Sequence, residues 1–184
     1  MPHTKKPRVA TVSLAGCFGC HMSLLDLDER FLQLSDIVEF GRSPINDLRR
    51  FNERCRVGLI EGGCCNEENV QTLVEFRESC DLLIAVGECA IMGGIPAMRN
   101  TLPLADCLEE AYLDGRSVYN PSGRIPDDPE LPLLLDRVYC AHDVVKIDYH
   151  LPGCPPQADT IWQALVAVLS DNPVNLPYEL VKYD

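Results

Sequence analysis

The sequence predicts an α/β fold built on a parallel sheet with helices on both faces. Three observations point to it. Short apolar segments, β-branched or Leu-rich, recur along the chain. Segments with helical spacing alternate with them, and Gly or Pro closely follows each apolar run. Near-continuous apolar strands suit a sheet buried on both sides.

Five segments read as strands: 8–14, 36–40, 57–61, 82–86 and 144–150. Leu24, Leu27, Phe31 and Leu34 recur at helical spacing after the first, and Ser23 with Asp26 reads as a capping box. Asn66-Glu67-Glu68 opens a second helix with Val70, Leu73 and Val74 inward, and acidic residues suit that first turn. Pro155-Pro156 opens a last helix with Ile161, Leu165 and Val168 inward. The order gives a three-layer, flavodoxin-like sheet in a single domain over 1–184. Segment 113–136, with Pro121, Pro126, Pro129 and Pro132, reads as an insertion loop that serves function or contact. Segment 172–184 reads as an irregular tail.

The 184 residues allow one sizeable core. Sixteen Lys+Arg against 28 Asp+Glu give a formal charge of −12, which argues against nucleic acid and against an anionic membrane surface. No apolar run approaches the roughly 20 residues of a membrane span. The chain opens Met-Pro-His-Thr-Lys-Lys-Pro-Arg with no apolar leader core, A-x-A site or twin-arginine signal. A cytoplasmic protein with reduced thiols is expected, so its ten cysteines read as metal or cluster ligands or as buried apolar residues.

Four cysteines fall where ligands bind in such a sheet, beyond the carboxyl ends of strands. Cys17 and Cys20 follow the first strand, Cys89 follows the fourth, and Cys154 follows the last, each close to glycine. Four thiolates from three loops suit either Zn²⁺ or an iron–sulfur cluster. Structural zinc favours two close pairs, and one pair with two singles suits a cubane cluster better. The helices after Cys20 and Cys154 would turn their positive ends toward it. Cys17-x-x-Cys20 alone also reads as a redox dithiol, which leaves Gly153-Cys154-Pro155-Pro156 unexplained. Cys55, Cys80, Cys107 and Cys140 read as buried apolar residues. Cys64-Cys65 follows the third strand at the same edge, where one thiol could lie near the site. No phosphate-binding glycine motif, Ser/His/Asp set or carboxylate pair is present, and the four histidines do not pair at metal-ligand spacing. His21 reads as a surface or capping residue.

Together, Cys17-x-x-Cys20 after a strand, Gly87-x-Cys89-Ala90 and Leu151-Pro-Gly-Cys154-Pro-Pro resemble the small subunit of [NiFe] hydrogenases from about Arg8 to about Leu169. Glu61-Gly62-Gly63 with Asn66-Glu67-Glu68-Asn69 is similar to soluble, cytoplasmic members, above all the short (delta) small subunit of the NAD-reducing hydrogenase. The resemblance implies that Cys17, Cys20, Cys89 and Cys154 bind one proximal [4Fe–4S] cluster. It implies an electron relay from a Ni–Fe centre in a separate large subunit to a diaphorase module with FMN and further iron–sulfur clusters, which reduces NAD⁺. The large-subunit face would then be the cysteine-bearing edge around Phe18, Glu88 and Pro155.

Longer members add a twin-arginine leader and a C-terminal domain with two further clusters. With no cysteine beyond Cys154, one cluster is expected here. Glu88 stands where many members have a small residue, so a carboxylate would disfavour reduction nearby, or it serves as a hydrogen-bonded loop residue. The related cluster-bearing subunit of NADH:quinone oxidoreductase usually has adjacent cysteines after the first strand, whereas Cys64-Cys65 follows the third. A zinc-stabilised or metal-free interaction module of the same fold is the remaining reading.

Overall fold

The computed structural model describes residues 6–182. Strands β1 (Arg8–Ser13), β2 (Glu39–Phe40), β3 (Cys55–Glu61), β5 (Cys80–Val86) and β7 (Tyr149–Leu151) form one sheet in the order β2-β1-β3-β5-β7. Every pairing is parallel. Inward residues alternate between two cores. Val57 and Leu59 of β3 join Val9, Ile84, Val86 and Leu151 on one face. There they meet α1 (Gly19–Leu25), α2 (Glu29–Ile37) and α7 (Ala158–Leu169) through Leu24, Leu34, Ile161, Leu165 and Val168. Ile60 joins Ala10, Leu83 and Ala85 on the other face, against Leu73 and Phe76 of α3 (Glu67–Ser79), Ala90 of α4 (Glu88–Met92) and Ala141 of α6 (Ala141–Val144). The three-layer α/β arrangement is the one expected.

Several boundaries differ from expectation, each for a local reason. The first helical pattern is two helices, because Asp28 takes a positive φ of 52° between α1 and α2. Ser23 lies inside α1 and donates to the Pro156 carbonyl, so Ser23 and Asp26 form no capping box. Residues 36 and 37 complete α2, and β2 keeps only the two residues that reach Arg8 and Val9 of β1. Val144 belongs to α6, where it packs on the second core, and the last strand begins only at Tyr149. On α3, Asn66 caps as read, its side chain accepting from Asn69 N at 2.8 Å. Phe76 is buried there and Val74 is exposed. The last helix starts at Ala158, two residues beyond the Pro pair.

Two strands were not foreseen. β4 (Cys64–Asn66) pairs antiparallel with β6 (Leu134–Tyr139), which takes over the end of the segment read as a Pro-rich loop. Before it come a 3₁₀ turn at Pro96–Thr101, α5 (Leu104–Glu109) and a π turn at Glu110–Asp114. Within the segment read as a tail, Val174 and Leu176 pack on the first core, and α8 (Tyr178–Val181) accepts from Thr160 Oγ1 through Leu180 O at 2.8 Å. Residues 183 and 184 of that segment lie outside the described residues. Among the described residues no helix is long and apolar enough to cross a membrane.

Candidate functional site

The carboxyl ends of β1, β3, β5 and β7 lie side by side, and the loops leaving them are stitched together. Leu14 N donates to Glu61 O at 2.8 Å, and Ala15 and Gly63 exchange two bonds of 2.9 Å. Gly62 makes this possible. Its φ is +88°, and a Cβ there would stand 2.8 Å from the Leu14 carbonyl carbon and 2.9 Å from Ala15 N. The chain then reaches Cys17, turns through Phe18 (φ 67°) and enters α1. Cys20 therefore lies in the first turn of α1, and Cys154 lies four residues ahead of α7, not directly before it.

Gly87 N donates to Leu151 O at 2.9 Å, and Glu88 N donates to Gly153 O at 3.0 Å. Gly153 N returns a 3.0 Å bond to Glu88 Oε1. Glu88 is thus the hydrogen-bonded loop residue of the two expected roles, and it ties the Cys89 loop to the Cys154 loop. The Ser23 bond to Pro156 ties the Cys20 helix to that same loop. A cis peptide bond joins Cys154 to Pro155.

The four predicted cysteines are brought to one place. Cys20 and Cys89 are half-buried, and Cys17 and Cys154 are exposed. Burial pushes the Cys20 thiol up to about 12, assisted by Glu61 and by the thiols of Cys89, Cys17 and Cys154. Burial, then Cys154, also pushes Cys89 up. Thiols raised as those of Cys20 and Cys89 are become thiolates beside a positive group, as metal ions supply. Gly87 leaves the necessary room. Its φ is +83°, and a Cβ there would stand 2.3 Å from Cys20 Sγ. All four lie among the described residues, and no three of their sulfurs come within 4.8 Å of one another. A single tetrahedral zinc needs sulfurs about 3.8 Å apart. The donor set fits a four-iron cluster, which takes four cysteine thiolates.

Beside these sulfurs lies a buried polar chain. The Glu61 carboxylate, 3% exposed, accepts from Cys20 N at 3.2 Å and His21 N at 3.3 Å, and it pairs with His21 Nδ1. His21 Nε2 is 2.9 Å from Thr11 Oγ1, which is 2.7 Å from Ser43 Oγ. The Phe18 ring stacks on His21 at 4.5 Å and 9°. His21 is therefore neither a surface nor a capping residue. It locks the Cys17–Cys20 turn to β1 and β3. The sequence held one signal for this: an acidic residue closing the apolar run of β3.

The remaining cysteines divide. Cys55 and Cys80 are buried as read, at 1% and 0% exposure. Cys107 and Cys140 are only half-buried, because α5 packs on a neighbouring turn and Cys140 serves as the cap of α6. Cys64 faces Cys140 and Asp143, and Cys65 donates to Asn69 Oδ1 at 3.3 Å, so β4 turns this pair toward β6 rather than the four sulfurs.

Known proteins share this sequence and fold. The model of the family described as NADH ubiquinone oxidoreductase, 20 Kd subunit, matches residues 17–168. The delta subunit of the NAD-reducing hydrogenase HoxS from Cupriavidus necator is 47% identical over 97% of this chain and 86% of its own length. One subunit of the F420-non-reducing hydrogenase from Methanothermobacter thermautotrophicus is 35% identical over 94% of this chain, which spans only 56% of that relative. A chain in the crystal structure of an NAD⁺-reducing [NiFe] hydrogenase in the H₂-reduced state superposes with a TM-score of 0.93 at 47% identity, covering 98% of this chain and 100% of that one. The [NiFeSe] hydrogenase of Desulfomicrobium baculatum shares the fold at a TM-score of 0.57 and 17% identity, covering 96% of this chain and 69% of that one. The chain belongs to the family that unites the 20 Kd subunit of NADH ubiquinone oxidoreductase with the small subunits of [NiFe] hydrogenases.

Proposed function

We propose that this chain is the electron-relay small subunit of a cytoplasmic NAD-reducing [NiFe] hydrogenase, which couples H₂ + NAD⁺ to H⁺ + NADH. The observation that carries the reading is the convergence of Cys17, Cys20, Cys89 and Cys154 at one sheet edge, in a chain 47% identical to a relative of that name. A [4Fe–4S] cluster held by those four sulfurs would supply one-electron transfer.

The chain's own residues shape that site. Cys20 and Cys89 reach it from the half-buried side, and Cys17 and Cys154 from the solvent side. Gly87 keeps the backbone thin beside Cys20. Glu61 holds the first turn of α1 through two backbone N–H groups, so the spacing of Cys17 and Cys20 does not depend on the ligands alone. The Phe18 ring, stacked on His21, packs the turn between Cys17 and Cys20.

The exposed sulfurs mark the face for the large subunit, which would hold the Ni–Fe centre. Met92, Ile95 and Met98, 62%, 71% and 67% exposed, follow Cys89 directly and give that face an apolar rim to bury on assembly. A diaphorase module with FMN and further iron–sulfur clusters would take the electrons onward. Hydrogen splitting belongs to the large subunit.

Metal and sulfide analysis of the anaerobically purified complex tests this. Nickel with excess iron and acid-labile sulfide is expected. Iron and sulfide without nickel would shift the assignment to an NADH:quinone oxidoreductase relative, and zinc alone would overturn the cluster.

A further inference from the structure

A second group of donors lies on the other side of β7 from the first core, apart from the four sulfurs. Cys140 Sγ, a His142 ring nitrogen and an Asp143 carboxylate oxygen lie within 4.8 Å of one another. The His150 ring stands over His142, centroids 6.0 Å apart and planes inclined at 69°. We propose that Cys140, His142 and Asp143, with His150 as fourth donor, form a binding site for a zinc-like divalent transition metal.

The donors are held in place by the fold. Cys140 follows β6 and caps α6: its carbonyl accepts from Asp143 N at 3.1 Å, and its own N–H donates to Asp143 Oδ2 at 3.0 Å. This reciprocal cap fixes Cys140 and Asp143 on one turn and leaves Asp143 Oδ1 turned to His142 Nε2 at 3.8 Å. That distance is too long for a hydrogen bond. Two ligands on one tetrahedral ion at about 2.0–2.1 Å stand about 3.4 Å apart, so a small closure suffices. Two imidazoles on such an ion have centroids about 5 Å apart, and His150 must approach by about 1 Å. Both histidines are exposed and free to move so far.

The cap accounts for Cys140 and Asp143 by itself, but not for two imidazoles gathered over it. In the sequence the two histidines are eight residues apart and carry no ligand spacing. They meet because α6 and the chain into β7 double back. Thiolate, two imidazoles and one carboxylate make a borderline-soft set that suits zinc and disfavours magnesium or calcium. Four protein donors close the coordination shell, so the ion is structural. It joins α6, which packs on the Cys89-bearing α4, to β7, which leads into Cys154.

The test is zinc competition against a chromophoric chelator on the intact complex. The wild type should hold one zinc per chain more than His142→Ala or His150→Ala does, with affinity at least about tenfold weaker in each variant. Iron content should be unchanged throughout, which separates this site from the cluster cysteines and from misfolding. Anomalous scattering at the zinc edge should place the ion between Cys140 and His150. Equal zinc binding by the wild type and both variants overturns the site. Loss in His142→Ala alone overturns the four-donor form.

Discussion

The parallel sheet carries cysteines at both ends of its strands, and the two ends are opposites. At the amino ends Cys55 and Cys80 are directly paired in register. They are 1% and 0% exposed, and the hydrogen bond to the Cys55 thiol, with burial, pushes the Cys80 thiol up. At the carboxyl ends Cys17, Cys89 and Cys154 lie just beyond β1, β5 and β7, with Gly87 at positive φ ahead of Cys89 and Gly153 ahead of Cys154, while Cys64-Cys65 after β3 turns to β6. One residue type in the same sheet is core at one end and ligand-like at the other. The difference lies in the backbone: regular strand gives a thiol only neighbours to pack on, while a glycine-broken loop gives it space to face three others.

If that contrast is right, truncation at the two ends should differ in kind. Cys154→Ala or Cys20→Ala should abolish hydrogen-dependent NAD⁺ reduction and release the cluster iron, read by activity and iron content of the purified complex. Retained activity in Cys154→Ala would remove it from the ligand set. Gly87→Ala comes next. Its φ of +83° is unfavourable for any side chain, by about 1–3 kcal/mol, and the added carbon would stand 2.3 Å from Cys20 Sγ. Iron content should fall in that variant and hold in Gly123→Ala, where φ is +61° but none of the described residues lies within 4 Å. Equal iron in both would mean that the space beside Cys20 does not matter.

At the amino end, Cys80→Ala should keep all the iron and the activity. It should lose about 1 kcal/mol of stability, the scale of one buried methyl-sized group, seen as a lower unfolding midpoint. Iron loss there would erase the distinction between the two ends.

Much of this contrast was legible in the sequence. The apolar runs of β1, β3 and β5 announce themselves because each is buried on both faces, and the glycines that follow them mark where loops begin. β4 and β6 escaped notice because Cys64-Cys65-Asn66 has no apolar pattern and its partner strand lies about 70 residues away. His21 escaped for a related reason. A lone histidine gives no sign of burial until Glu61 and Thr11, on two other strands, close around it. Local pattern shows where a thiol leaves the sheet, but not which distant side chains steady it.

The smallest effect concerns what closes the amino end. Arg77 donates to the Cys80 and Asp81 carbonyls at 2.9 and 2.8 Å and to Asp148 Oδ2 at 2.7 Å. The same oxygen accepts from Leu83 N at 2.9 Å. Burial pushes the Asp148 carboxyl up, but the Leu83 N–H and the Arg77 guanidinium outweigh it and hold it below the usual range. A carboxyl with a depressed folded pKa contributes its full stability above the ordinary aspartate value of about 4, and loses it as pH falls through the folded value. Asp148→Asn keeps the shape and removes the charge. Its melting temperature should trail the wild type by a constant margin from pH 8 to roughly pH 5, and the margin should narrow below that. A margin that does not change with pH would mean the clasp acts through packing alone. The amino end would then be closed by the same apolar contacts that bury Cys55 and Cys80, with no polar device of its own to set against the open carboxyl end.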